Sequence, residues 1–277
     1  MLLRRWGAEA ETLEDVFGWN LPFRVETLGE CAFALMRAGE MVRPVGRRWR
    51  SSLSVAAVGP LLFLHTAFRS KSKDAVFFGP DSVRFTDFIR TAMPGLGDDA
   101  TILDIGTGTG VGGLFAASLA PGRRLVLTDK NEEALRLATI NASFAGAEAE
   151  IRMGDGLAGF ADRLDLVLAN PPYVAGSSQP TYAAGGGRLG ADLSLRWASE
   201  AAERLTPGGA LLLYTGSAIV RGRDPLKAEL QRIAESKACE LSYRELDPDV
   251  FPGLLLKPAY WGAERIAAVG AVMTRDA

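Results

Sequence analysis

Thr101-Ile102-Leu103-Asp104-Ile105-Gly106-Thr107-Gly108-Thr109-Gly110 is a short apolar strand candidate that breaks into three glycines spaced two residues apart. The apolar run suits a buried strand, and the glycines permit a tight turn and close approach of backbone to a ligand at the start of the next helix. A helical pattern follows over 112–119. Strand, glycine turn and helix form the opening unit of a doubly wound parallel sheet, in which ligands bind at the carboxyl ends of the strands. The spacing is Gly-x-Gly-x-Gly and not the dinucleotide-binding Gly-x-Gly-x-x-Gly, although Gly113 keeps a relaxed form of the latter open.

Outward from this unit the same alternation continues. Strands are expected at 124–128, Glu150–Met153, Leu164–Ala169 and 210–215, and helices at 132–145 and 192–205. In the last of these, Leu193, Trp197, Ala201 and Leu205 recur at i+4, a stripe that faces a core. The chain of 277 residues exceeds one typical domain, which implies one catalytic-size unit and a smaller appendage. The appendage is expected over 1–74, with a helix at 28–41 and two short strands over 52–68 bent at Gly59-Pro60. It holds 11 basic and 8 acidic residues against 20 and 25 in the remainder, so a basic first part precedes an acidic second. The polar run 69–74 marks the boundary, and the larger domain spans 75–277.

Composition excludes much familiar catalysis. His65 is the only histidine, and Cys31 and Cys239 are the only cysteines. A Ser-His-Asp or Cys-His pair would need His65, and a zinc site built from several His and Cys ligands cannot form. His65 lies in the apolar run Leu61-Leu62-Phe63-Leu64-His65 and reads as a structural residue at a strand edge. Two distant cysteines and the lack of a recognisable leader lead us to expect a cytoplasmic protein. The longest apolar stretch, 53–64, is far shorter than the roughly 20 residues that cross a bilayer, so no membrane partner is expected. A net charge of -2 offers no global attraction to nucleic acid. Locally, Arg43, Arg47, Arg48 and Arg50 surround Trp49, which leaves open either a phosphate-binding patch with a base-stacking aromatic or an ordinary solvated face.

Three further positions carry chemistry. Asp129 follows Gly110 by nineteen residues and ends the second strand, where a carboxylate accepts hydrogen bonds from both hydroxyls of a ribose. The alternative is a helix cap near Glu132. Asp155, in Met153-Gly154-Asp155-Gly156, follows the third strand and suits an adenine amine, or simply a turn. The fourth strand ends in Ala169-Asn170-Pro171-Pro172-Tyr173. Prolines donate no hydrogen bond, so the Asn170 side-chain oxygen and the Pro171 carbonyl are both free to accept from an -NH2 group while Tyr173 stacks on the planar group bearing it.

In this order and spacing, Asp104 to Gly110, Asp129, Asp155 and Asn170 to Tyr173 resemble the class I S-adenosylmethionine-dependent methyltransferases of the Asn-Pro-Pro-Tyr type, among them the release-factor glutamine methyltransferases and the adenine amino-methyltransferases. Gly186-Gly187-Arg188-Leu189-Gly190 with Asp192-Leu193, and Leu205-Thr206-Pro207-Gly208-Gly209, resemble segments of the glutamine branch. The resemblance implies a Rossmann-like α/β fold, doubly wound, whose seven-stranded sheet ends in an antiparallel pair at 240–245 and 266–274. It implies S-adenosyl-L-methionine as the cofactor and no metal. It further implies a cofactor site of Asp104, Gly106, Thr107, Gly108, Gly110, Asp129, Lys130, Asp155, Gly156 and Asn170. Asn170, Pro171 and Tyr173 would be catalytic, with Pro172, Tyr173 and Arg188 against the acceptor. Phe77-Phe78-Gly79-Pro80-Asp81 stands where relatives carry a Pro- and acid-containing cofactor lid, and Gly185 to Gly187 suggest either a mobile loop over the substrate or a solvent loop. The acceptor stays open between a protein glutamine, an RNA or DNA adenine and a small molecule, and a binding protein without catalysis is the alternative of a different class.

Overall fold

The computed structural model describes residues 9–67, 70, 72–160, 163–175 and 184–276, with the backbone alone at Arg188. The chain begins with α1 (Leu13–Phe17), α2 (Val25–Leu28) and α3 (Glu30–Ala38), then two antiparallel hairpins, β1 (Val42–Val45) with β2 (Arg48–Ser51) and β3 (Leu53–Val58) with β4 (Leu61–Thr66). Gly59-Pro60 supplies the turn of the second hairpin, as the sequence implies, and the helix expected at 28–41 is α3, shortened to Glu30–Ala38 and set off from α2 by Gly29, whose φ is +79°.

The larger unit continues through α4 (Pro80–Ala92), β5 (Thr101–Ile105), α5 (Val111–Leu119), β6 (Arg124–Asp129), α6 (Glu132–Phe144), β7 (Glu150–Met153), β8 (Leu164–Ala169), α7 (Asp192–Arg204), β9 (Leu205–Val220), α8 (Pro225–Ser236), β10 (Cys239–Asp247) and β11 (Ala263–Arg275). One seven-stranded sheet has the order β10-β11-β9-β8-β5-β6-β7, with β11 antiparallel to both neighbours and the others parallel. The doubly wound fold with a terminal antiparallel pair is therefore present. Side chains alternate across β5 and β6: Leu103 and Val126 enter a core with α7 and α8, while Ile102, Leu125 and Leu127 enter another with α4, α5 and α6.

Two departures from the sequence expectation have local causes. β9 is much longer than 210–215, because Leu205 already pairs with Leu164 and the Thr206 to Gly209 segment bulges before Ala210 resumes opposite Leu166. The β3–β4 hairpin packs onto the larger unit and not apart from it, with Val58 and Phe63 in the same core as Phe85 and Phe88 of α4. Asn141 of α6 ties it down: Leu64 donates its amide to Asn141 Oδ1 (2.8 Å), and Asn141 Nδ2 donates to the carbonyls of Leu64 (3.1 Å) and of Thr109 in the glycine loop (2.8 Å). No helix among the described residues is long and apolar enough to cross a membrane.

Candidate active site

The sheet order reverses between β5 and β8, and a cavity of about 380 Å³ opens there at the carboxyl ends of the strands. This is the switch point at which open α/β sheets bind ligands, and the volume lies within the range of roughly 300 to 1,000 Å³ usual for small-molecule sites. Asp104, Gly106, Thr107, Gly108, Asp129, Lys130, Asp155, Gly156, Asn170, Pro171, Pro172 and Tyr173 all line it.

On one side lies the glycine loop. Gly106, Gly108 and Gly110 have φ of +62°, +56° and +82°, a left-handed run that residues with a Cβ rarely adopt. Space is as restrictive as angle at Gly106, where a Cβ would lie 2.5 Å from the Trp197 ring. Gly110 does not line the cavity; it caps α5 and packs near Leu114, Leu127 and Ala138. Asp129, which lines the cavity, accepts the Gly108 amide on Oδ2 (2.9 Å) and the Asn131 amide on Oδ1 (2.9 Å), and the Lys130 amide also hydrogen-bonds its carboxylate. The helix cap is Asn131, whose side chain accepts from Glu133, which leaves Asp129 unneeded for that purpose. Burial raises the Asp129 pKa.

Asp104 works beneath the loop. Its Oδ2 accepts from the Thr107 hydroxyl (2.5 Å) and the Gly113 amide (2.8 Å), which locks the turn onto the first turn of α5. Burial pushes its carboxyl up to about 6, against the opposing effect of those two hydrogen bonds. Asp155 is partly committed: Arg196 donates to its Oδ1 (2.8 Å), a pair the sequence does not signal. Trp197, 4% exposed, forms the floor under Gly106 and Gly156, and its Nε1 has no hydrogen-bond partner among the described residues.

On the other side stands Asn170-Pro171-Pro172-Tyr173. The Asn170 side chain lines the cavity, and no described residue hydrogen-bonds it. Tyr173 is buried, with its ring over Gly216, where any Cβ would overlap it. A Cβ at Gly185 would lie 2.6 Å from the Tyr173 Cα, and the Gly185 amide donates to the Val174 carbonyl (3.0 Å). Gly185 to Gly190 therefore cradle the Tyr173 backbone, while 176–183 and the Arg188 side chain, with its expected acceptor contact, lie outside the described residues.

Sequence reasoning missed the far wall. Between β10 and β11 the chain makes an excursion that places Phe251 and Leu254 in the cavity lining, with the Phe251 ring 6.0 Å from that of Tyr173. Tyr260, fully buried, anchors this excursion by accepting the Ala175 amide on its hydroxyl (2.8 Å) and donating to the Tyr173 carbonyl (3.4 Å). No motif marks these residues, since they act through tertiary packing. Two other expectations are resolved by position. His65 stacks on Phe78 (5.4 Å) away from the cavity, with its pKa lowered by burial. The Trp49 indole, read as either a base-stacking surface or part of a solvated face, is half-buried and packs edge-on to Phe33 (5.0 Å) against the core of the first helices, and Arg48 pairs with Glu9 (2.6 Å).

A seven-stranded doubly wound sheet whose switch point carries a glycine loop, a strand-ending carboxylate and Asn-Pro-Pro-Tyr defines the Rossmann-like methyltransferase class. Residues 85–238 match the family model described as methyltransferase small domain, more than half of the chain, and the chain belongs to that family. Its relatives include the release factor glutamine methyltransferase of Deinococcus radiodurans, 36% identical over 140 residues, covering 47% of this chain and 49% of that one. The protein of the same name from Moorella thermoacetica is 33% identical over 205 residues, covering 66% and 72%. The ribosomal RNA large subunit methyltransferase G of Alcanivorax borkumensis is 36% identical over 114 residues, covering 40% and 27%. The chain spans about half the length of several of the curated relatives it matches. Among solved structures, M. jannaschii TYW2 in complex with AdoMet shares the fold at a TM-score of 0.53 and 14% identity, covering 81% of this chain and 87% of that one.

Proposed function

We propose that the chain is an S-adenosyl-L-methionine-dependent N-methyltransferase whose acceptor is a planar amide nitrogen, the side chain of a protein glutamine. The observation that carries this reading is that Asn170-Pro171-Pro172-Tyr173 and the Asp129 glycine loop line one cavity. The cavity suits the cofactor: Asp129 lines it with a carboxylate for ribose hydroxyls, Gly106 leaves the loop free of a Cβ over the Trp197 floor, and Asp155 with Gly156 edges the end where an adenine would lie. The exposed Lys130 stands at the rim beside Asp129.

When bound, the cofactor supplies a methyl group already activated by the positive charge on its sulfur. The chain's part is alignment and exclusion of water. Asn170 Oδ1 and the Pro171 carbonyl accept from the two N-H bonds of the acceptor amide, which aims its nitrogen lone pair without a strong base; the nitrogen exchanges one N-H for the methyl, and that proton, strongly acidic once the nitrogen is methylated, leaves to solvent. The Tyr173 ring offers a flat wall for the amide plane. Its hydroxyl is not a proton acceptor, because it is donated to Asp81 (2.7 Å) and burial raises its pKa far above the ordinary tyrosine value. Residues 1–74 are proposed as a substrate-recognition region beside the catalytic unit of 75–277.

The protein reading is supported by the Gly185 to Gly190 cradle and by relatives named for glutamine methylation. Relatives named for ribosomal RNA supply the competing one, methylation of a base. Labelling a cell extract with methyl-tritiated cofactor separates them. Label in protein, released as methylglutamine on gentle hydrolysis, is the expected result; label confined to RNA, with transfer that falls steeply as salt rises, overturns it.

A further inference from the structure

We infer that Asp81 is a positioning residue that sets the Tyr173 ring through its hydroxyl, with Tyr214 as the second anchor. The inference rests on the role given to Tyr173 above. Asp81 is the second residue of α4, directly after Gly79-Pro80, and it is 7% exposed. The Tyr173 hydroxyl donates to its Oδ2 (2.7 Å), and the Tyr214 hydroxyl of β9 donates to its Oδ1 (2.9 Å). Arg84 lies 3.6 Å from the same carboxylate and pairs with Asp247 (2.7 Å). Three elements distant in sequence thus meet at one buried charge.

Packing alone does not call for this arrangement. A carboxylate buried between two phenols, with only the half-exposed Arg84 as its counter-charge, gains little over apolar residues of the same volume, so stability is a weak reason for it. Geometry supplies a better one. Gly216 supports the Tyr173 ring from below and Phe251 stands at its side, which sets the plane of the ring. The hydroxyl lies on the axis of ring rotation, so the hydrogen bond to Asp81 fixes the place of the ring's far end. Asp81 itself lines the cavity and opens the helix that follows the lining segment Ala75 to Phe77, so the position of the acceptor wall is tied to that chain.

The test uses the full chain, a glutamine-containing peptide as acceptor and calorimetry for cofactor binding. Tyr173→Phe should lower kcat about 10- to 100-fold, and Tyr214→Phe, whose side chain does not line the cavity, about 3- to 10-fold, with cofactor affinity unchanged within about twofold. Asp81→Asn, which keeps one acceptor, should retain more activity than Asp81→Ala. Unchanged kcat in both phenylalanine variants, or loss of cofactor affinity in place of turnover, overturns the inference. A second measurement needs no acceptor. Ultraviolet titration of phenolate should show Tyr173, Tyr214, Tyr243 and Tyr260 all ionising late in the wild type, chiefly through burial, and Asp81→Asn should bring two of the four, Tyr173 and Tyr214, to lower pH. An identical titration overturns the anchor, whereas a wild type that leaves the peptide unmethylated while titrating as described counts against the glutamine reading alone.

Discussion

At the Asp129 end of the cavity, the contacts that shape the site join near neighbours in the chain: Thr107 and Gly113 bond Asp104, and Gly108 and Asn131 bond Asp129. At the Tyr173 end they join strangers: Asp81 meets Tyr173 and Tyr214 across 92 and 133 residues, and Tyr260 meets Ala175 across 85. The hydrogen bonds of the first end lie within β5, the glycine loop, α5 and the end of β6, built of backbone amides and carboxylates, over a floor that Trp197 supplies. The second is assembled by the fold, from the start of α4, the loop after β8, the middle of β9 and the excursion before β11. A cofactor common to many enzymes suits a self-contained unit, and an acceptor peculiar to one suits walls drawn from variable connections.

The sharpest way to break this division is to remove the one side chain at the junction. Asn170→Ala takes away an acceptor for the substrate -NH2 and leaves the glycine loop, Asp129 and Trp197 in place. Turnover should fall about 100- to 1,000-fold, the scale of losing a group that orients the reacting atom, while calorimetric cofactor affinity stays within about twofold. Equal losses in both quantities would mean that Asn170 serves the cofactor and that the two ends are not separable. The opposite outcome is expected at the other end. Asp129→Ala removes the proposed ribose acceptor and the partner of the Gly108 amide, so cofactor affinity should weaken about 10- to 100-fold, with kcat at saturating cofactor reduced much less.

The same division explains what the sequence made legible. The alternation of apolar strands with helical stripes lies within short windows, and so do the glycines after Ile105 and the carboxylate that closes the next strand. The fold and the Asp129 end were therefore readable residue by residue, apart from details that depend on packing. Gly110 turned out to sit behind the loop, against Leu127 and Ala138. Asp155 shares its carboxylate with Arg196, which only the return of α7 brings near. Asn-Pro-Pro-Tyr was visible as a motif, but the direction of the Tyr173 hydroxyl was not, because its partner lies in another helix. Phe251 and Tyr260 had no signal at all, since a short apolar loop between two antiparallel strands resembles any other. Trp49 shows the reverse case: an aromatic among arginines has a clear local meaning, while the packing partners that hold one side of it, Phe23 and Phe33, lie elsewhere in the chain.

The smallest expected effect tests the least legible wall. Phe251 is 36% exposed and lies in the cavity lining beside Tyr173, held there by an excursion that Tyr260 and the Val250 amide anchor, the latter donating to the Ile266 carbonyl (2.9 Å). Truncating it removes apolar surface at the mouth and leaves the Asp81 tether of Tyr173 intact. Loss of partial burial of an aromatic side chain is worth about 1 kcal/mol, which corresponds to an increase of roughly fivefold in KM for the acceptor. Turnover and cofactor affinity should not move with it. The Tyr260→Phe variant refines the point, since it deletes the hydroxyl that holds the excursion to Ala175 while keeping its buried ring. If the wall acts by its position, this variant should raise the acceptor KM in the same direction as Phe251→Ala. If Phe251→Ala instead weakens cofactor binding, the excursion belongs to the cofactor end, and the line between the two ends must be redrawn through Tyr173.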